Sequence, residues 1–236
     1  MKPRQLRYGR PLLVAPARRR VGALLACCAI LVVVLGVLFA HQTRADWLDH
    51  TVDSPVITWF GSHQGLARWL AAPGSELPAV VLSAAIAVVC LCAGRLNGAM
   101  LAAVAVPAAV GLNDGLFKPI VHRTYLGALT YPSGHTATVF ALAATVAVLL
   151  LVPPRSAMAR ALGVLALVGT YVLGVVVAVG VIGLRWHYFT DTVAGAAVGT
   201  GTVCGLAFLL DLSMIRRLLT QPAVDRSVNT VAPTRP

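Results

Sequence analysis

Six long apolar stretches, each close to the length of a membrane-crossing helix, constrain this chain more than any other feature. They cover residues 21–40, 77–93, 98–117, 135–152, 161–184 and 191–210. A helical crossing needs about 20 apolar residues. The hydrocarbon core also offers no water to backbone N–H and C=O groups, so each stretch must close its hydrogen bonds as a helix. The expected fold is all-α, a polytopic membrane protein built as a six-transmembrane helix bundle. Pro107 is expected to kink the third helix. Charged residues make up only 11% of the chain, against about 25% in soluble domains, so much of the surface must face something other than water.

The charges that remain carry topology. The net charge of +11 comes from 19 Lys and Arg against 8 Asp and Glu. In a soluble protein that excess would suggest nucleic acid, but here the basic residues sit in the N-terminal tail and short loops, so no nucleic-acid partner is expected. With six spans, 14 Lys and Arg fall on one side and 5 on the other. The positive-inside rule then places both termini in the cytoplasm. Arg18, Arg19 and Arg20 precede the first apolar run as in a signal peptide. That run exceeds a signal core of about 7–15 residues and no small-x-small cleavage site follows, so it reads as a retained span. The chain thus divides into a basic tail (1–20), a membrane domain (21–220) and a second tail (221–236), with both tails expected to be poorly ordered. Cys27, Cys28, Cys90, Cys92 and Cys204 all lie in apolar runs without metal-site spacing and read as small packing residues. Residues 41–76 allow two readings. One is an interfacial helix carrying Ile57, Phe60, Trp69 and Leu70; the other is an ordinary loop.

Three polar clusters interrupt this pattern: KPIVHRTY from Lys118, YPSGHTAT from Tyr131, and LRWHYFTD ending at Asp191. The topology brings all three to the outer face. Singly, each residue has a plain explanation: Lys118 and Arg123 as interfacial anchors, Ser133 as a helix cap, a histidine as a surface residue. Together on one face they point to phosphate chemistry. Ser133 is a good N-cap, Gly134 permits close backbone approach, and His135 sits in a first turn whose free amides and dipole favour an anion. His187 and Asp191 are four apart and would share a helical face if the sixth helix began early, letting the carboxylate orient the imidazole. Lys118 and Arg123 supply cations, and Asp114 is spaced to pair with Lys118 across one turn.

These motifs resemble the membrane-bound type 2 phosphatidic acid phosphatase family, whose signatures are K-x6-R-P, P-S-G-H and S-R-x5-H-x3-D. The resemblance covers roughly residues 75–210. Pro132–His135 matches the second signature, His187 and Asp191 match the end of the third, and Lys118 opens the first. The resemblance implies His187 as nucleophile forming a phosphohistidine, Asp191 as its orienting carboxylate, and His135 as the acid for the leaving group. It implies Lys118, Ser133 and Gly134 as phosphate ligands, with no metal and no cofactor. It also implies a lipid phosphate or polyprenyl diphosphate substrate, cleaved at the outer face of a bacterial-type cytoplasmic membrane. Two family arginines are absent: Tyr125 and Val181 stand at their positions. Arg123 and Arg185 lie close by and are expected to substitute. Phosphoryl transfer to an acceptor other than water, and a non-catalytic lipid-phosphate binder or transporter, are the competing readings.

Overall fold

The computed structural model describes residues 11–152 and 156–220. Residues 1–10 of the expected tail at 1–20, the expected tail at 221–236, and Arg155 with its share of the loop charge lie outside the described residues. The order is α1 (Ala15–Phe39), α2 (Trp47–Phe60), α3 (Gln64–Ala71), a short 3-10 turn (Ala72–Gly74), α4 (Glu76–Cys92) and α5 (Leu96–Leu112). A π-helical segment (Asn113–Phe117) leads into α6 (Lys118–Val121) and a hairpin of β1 (Thr124–Tyr125) and β2 (Ala128–Leu129). Then come α7 (Gly134–Leu150), α8 (Ala157–Gly183) and α9 (Phe189–Thr220).

Among the described residues, five helices are long and apolar enough to cross a membrane: Ala15–Phe39, Gln64–Cys92, Leu96–Val121, Ala157–Gly183 and Phe189–Leu212. The remaining expected span, the fourth in chain order, is α7, which is apolar but has only 17 residues. It can be short because it is the inner helix: eleven of its residues are buried, whereas α1 and α8 expose Val33, Val37, Leu165 and Val175. Apolar exposure on that scale suits lipid and not water, so the chain is an integral membrane protein.

Several expected boundaries move. The first helix starts at Ala15, with Pro16 in its opening turn, so Arg18–Arg20 are helical and do not belong to a tail. Proline suits a first turn because its missing N–H would be unpaired there anyway. The N-terminal end of α1 is tied to the far end of α9: the Leu12 and Leu13 amides donate to the two Asp211 carboxylate oxygens at 2.8 and 2.9 Å. Helix α5 runs through Pro107, and the irregularity falls later, at the π segment. Such segments are frequent at functional sites. Residues 41–76 are mostly helical. Trp47, Trp59 and Trp69 are exposed there, but Phe60 is buried against Gly183.

Small residues set the central packing. A Cβ on Gly195 would meet Thr136 Oγ1 at 2.2 Å and the Ser133 carbonyl oxygen at 2.3 Å. One on Gly199 would lie 2.1 Å from the Ala137 carbonyl oxygen. The G-x-x-x-G spacing on α9 therefore lets its backbone lie directly on α7, the arrangement expected of close membrane helices. The two helices run parallel and start at the same level, joined where the Ser133 amide donates to the Asp191 carbonyl at 2.9 Å. Gly199→Ala is expected to destabilise the bundle by about 1–3 kcal/mol, because backbone cannot move aside as a side chain could. Thermal unfolding in detergent would show it, and an unchanged midpoint would contradict this packing.

Candidate active site

The helix ends nearest Ser133 and Asp191 enclose a pocket of about 530 Å³, lined by Asp114, Lys118, Gly134, His135, Arg185 and His187 among others. Three distant sequence clusters therefore meet.

His187 lies between helices. Helix α8 ends with the Trp186 amide bonded to the Val181 carbonyl and the Arg185 amide to the Ile182 carbonyl. Arg185 is left-handed at φ 59°. That is a Schellman ending, whose left-handed position is usually glycine; an arginine there costs backbone strain. The reversal exposes the Arg185 side chain and turns His187 inward, leaving it 7% exposed. His187 Nδ1 lies 2.9 Å from the Thr130 carbonyl oxygen. A carbonyl can only accept, so Nδ1 carries the hydrogen and Nε2 keeps its lone pair. Burial first, then the neighbouring His135 and Lys118, push the His187 imidazole down to about 3. The rings of His135 and His187 are 6.3 Å apart, and Trp186 lies 5.4 Å from His135.

Asp191 does not make the expected contact with His187. The helix starts at Phe189, so His187 is not on its surface and the shared face never forms. The carboxylate turns back instead: Oδ2 accepts from the Tyr188 amide at 3.0 Å and Oδ1 from Arg123 Nη1 at 2.7 Å. An acidic side chain at the third helical position reaching back to the cap amide is half of a capping box.

Arg123 also departs from expectation. It is fully buried, and its guanidinium does not line the pocket. Nη2 pairs with Asp49, and Nη1 donates to Asp191 and to Thr190 Oγ1. The Phe39 and Tyr188 rings each lie 4.3 Å from the guanidinium carbon. Its Nε is buried without a partner. Desolvation opposes this charge, but the two aspartates more than offset it and raise the Arg123 pKa. Arg123 is thus placed as a buried tie between α2 and α9. The family-arginine position Tyr125 is filled by a ring stacked on Tyr188 at 4.4 Å.

Ser133 is likewise enclosed. Its hydroxyl caps α7, accepting from the Thr136 amide at 3.5 Å, and it is fully buried. It is not placed to hold a phosphate oxygen. Gly134 and His135 do face the pocket, at the N-terminus of α7, where the dipole favours an anion. The expected Lys118–Asp114 pair forms at 2.8 Å. Asn113 donates from Nδ2 to Asp114 at 2.9 Å and to the Pro132 carbonyl at 3.2 Å, linking the π segment to the start of α7.

Sequence reasoning did not find Asp49, Asp53 or Thr130. Asp49 and Asp53 are buried on α2 and accept the Thr190 and Phe189 amides that open α9. Two acidic residues four apart on a helix holding apolar and aromatic side chains were the available signal. Burial, followed by repulsion from Asp49, raises the Asp53 carboxyl to about 7. Thr130 meets His187 through its backbone carbonyl, a contact no residue pattern announces, while its side chain hydrogen-bonds Asp191.

Residues 99–213 match the model of the PAP2 superfamily. The match begins in α5, ends in α9, and leaves α1 to α4 outside it. No curated protein and no solved structure matches the chain. With its motif histidines brought together at one pocket between apolar helices, the chain carries a PAP2 superfamily match over residues 99–213, consistent with a PAP2-type phosphatase family.

Proposed function

We propose that this protein hydrolyses a lipid phosphate or polyprenyl diphosphate at the outer face of a bacterial-type cytoplasmic membrane, without a metal, through a phosphohistidine. The observation that carries the reading is the Nδ1 bond of His187 to the Thr130 carbonyl, 2.9 Å long. It leaves Nε2 as a free nucleophile across the pocket from His135. Nε2 attacks phosphorus and the P–O ester bond breaks. The leaving alkoxide takes a proton from His135. Water then attacks phosphorus, the N–P bond breaks with its electron pair returning to Nε2, and the water's proton passes to His135 as phosphate is released. Lys118 and Arg185 supply positive charge to the transferring group, and the Gly134–His135 turn supplies amides. An apolar rim favours a lipid: Leu126, Leu129 and Trp186 are exposed at the pocket's mouth. The charge asymmetry of the loops supports the outer face.

The test is phosphate release by detergent-solubilised protein in EDTA, from a panel of lipid phosphates and diphosphates. Release would support the reading; binding without release would favour the binder, and transfer to added alcohol would favour the phosphotransferase.

The strained backbone at Arg185 fits a functional demand, since such outliers cluster at active sites. Arg185→Ala is expected to lower turnover by about 10²-fold, with little change in unfolding midpoint because the side chain is exposed. Normal activity would remove Arg185 from the mechanism.

The pH dependence follows from which form reacts. His187 attacks when neutral, and with its pKa at about 3 it stays neutral through the range where an ordinary histidine charges. Activity should not fall on its account between about pH 7 and 5. The alkaline limb belongs to His135, which must donate a proton. An acid limb centred near an ordinary histidine's value of about 6.5 would contradict the enclosed imidazole.

A further inference from the structure

A continuous chain of buried polar contacts runs from α2 to His187, and none of its members short of His187 lines the phosphate pocket. Asp49 is fully buried. Its Oδ1 accepts from the Thr190 amide at 2.9 Å and from Thr190 Oγ1 at 2.8 Å, and its Oδ2 pairs with Arg123 Nη2. From Arg123 the chain continues through the backbone. The Arg123 carbonyl accepts from the Thr130 amide at 3.0 Å, and the Thr130 carbonyl accepts from His187 Nδ1 at 2.9 Å. A second route is shorter. The Thr190 amide lies three residues beyond His187, so its bond to Asp49 helps fix the first turn of α9, as the Phe189 amide's bond to Asp53 does, and an asparagine at either position keeps that acceptor while only Asp49 also pairs with Arg123.

We propose that Asp49 is a positioning residue for His187, making α2, which lies outside the family match, a working part of the active site. The proposal rests on the reading of His187 as nucleophile. Asp49 touches neither phosphate nor the reacting atoms. It fixes the Thr130 carbonyl through Arg123 and the approach to His187 through Thr190. A nucleophile displaced by about 1 Å can lose about 10²-fold in rate, so a loose Thr130 carbonyl costs turnover before it costs the fold.

Asp53 provides an internal control. It lies one turn further along the same helix, is buried, and accepts the Phe189 amide at 3.1 Å. It stands outside the Asp49–Arg123–Thr130 chain. An asparagine there keeps the acceptor without a charge that burial already disfavours.

The experiment compares wild type, Asp49→Asn and Asp53→Asn as full-length protein in detergent, with a short-chain phosphatidic acid as probe. Three readouts are taken: kcat and KM below the unfolding midpoint, the midpoint itself, and ¹⁵N-histidine NMR of the His187 tautomer. Asp49→Asn should lower kcat about 10²-fold with KM within about threefold, and should mix the His187 tautomers. Asp53→Asn should stay within about twofold of wild type. A lowered midpoint for Asp49→Asn with wild-type kcat and tautomer would overturn the proposal, leaving Asp49 as a stabilising contact only. If Asp49→Asn does not fold, Thr190→Val replaces it, since it removes the hydroxyl shared by Asp49 and Arg123. Reduced kcat with a mixed tautomer then supports the proposal, and wild-type values overturn it. His187→Ala in the same assay separates the two claims: if it keeps activity, the nucleophile assignment fails, whereas the tautomer shift still reports whether Asp49 holds the imidazole.

Discussion

His187→Ala is expected to abolish phosphate release, by about 10³-fold or more, while the protein stays folded. The two halves of this expectation have separate physical grounds. The imidazole is the group on the pocket wall with a held Nδ1 and a free Nε2, so removing it removes the atom that forms the N–P bond. The loss exceeds that of a single oxyanion donor because no neighbouring group takes over the covalent step; His135, 6.3 Å away between ring centres, is committed to the leaving group. The fold survives because the side chain makes one hydrogen bond and faces a pocket that admits water, so the freed Thr130 carbonyl finds another partner. Phosphate release and thermal unfolding, measured on the same preparation, check both halves. Turnover within about tenfold of wild type would remove His187 as nucleophile.

Arg123→Ala is expected to fail in the opposite way, by unfolding. Truncation leaves Asp49 and Asp191 facing each other, both fully buried, without the cation between them. Breaking a buried ion pair by removing one partner costs about 3–5 kcal/mol, a large share of the roughly 5–15 kcal/mol that holds a domain together. The two stacked rings, Phe39 and Tyr188, also lose their partner. A phosphate ligand at the pocket wall would behave otherwise, with raised KM or lowered kcat and an unchanged midpoint, as expected for Arg185. Thermal unfolding in detergent decides: a midpoint within about 2 °C of wild type, with activity lost, would return Arg123 to phosphate binding.

The two arginines show where sequence reading stops. Arg123 stands two residues before one missing family arginine and Arg185 four after the other, and sequence pattern treats them alike. Arg185 lies on a left-handed residue that throws its side chain to the pocket. Arg123 precedes a hairpin and points into a cage built by α1, α2 and α9. Nothing local to HRTY reveals that cage, because its carboxylates come from positions 74 residues earlier and 68 later. The HxxxD motif misled for a related reason. Its spacing fits a helical face, but α9 begins after His187, and Asp191 is claimed by the cap amide and Arg123.

Residue composition and spacing alone were enough for the membrane setting, the apolar helices with their approximate limits, and the meeting of Lys118, His135 and His187 at one pocket. Those follow from composition, from the length of hydrocarbon a helix must cross, and from the alternation of spans, all of which are local or additive. Tertiary structure decided which polar groups face the pocket and which are sealed beneath it. Asp49, Thr130 and Arg123 hold the site, whereas Ser133 caps a helix. A buried charge must find its partners wherever packing brings them, and a backbone carbonyl has no residue identity to read.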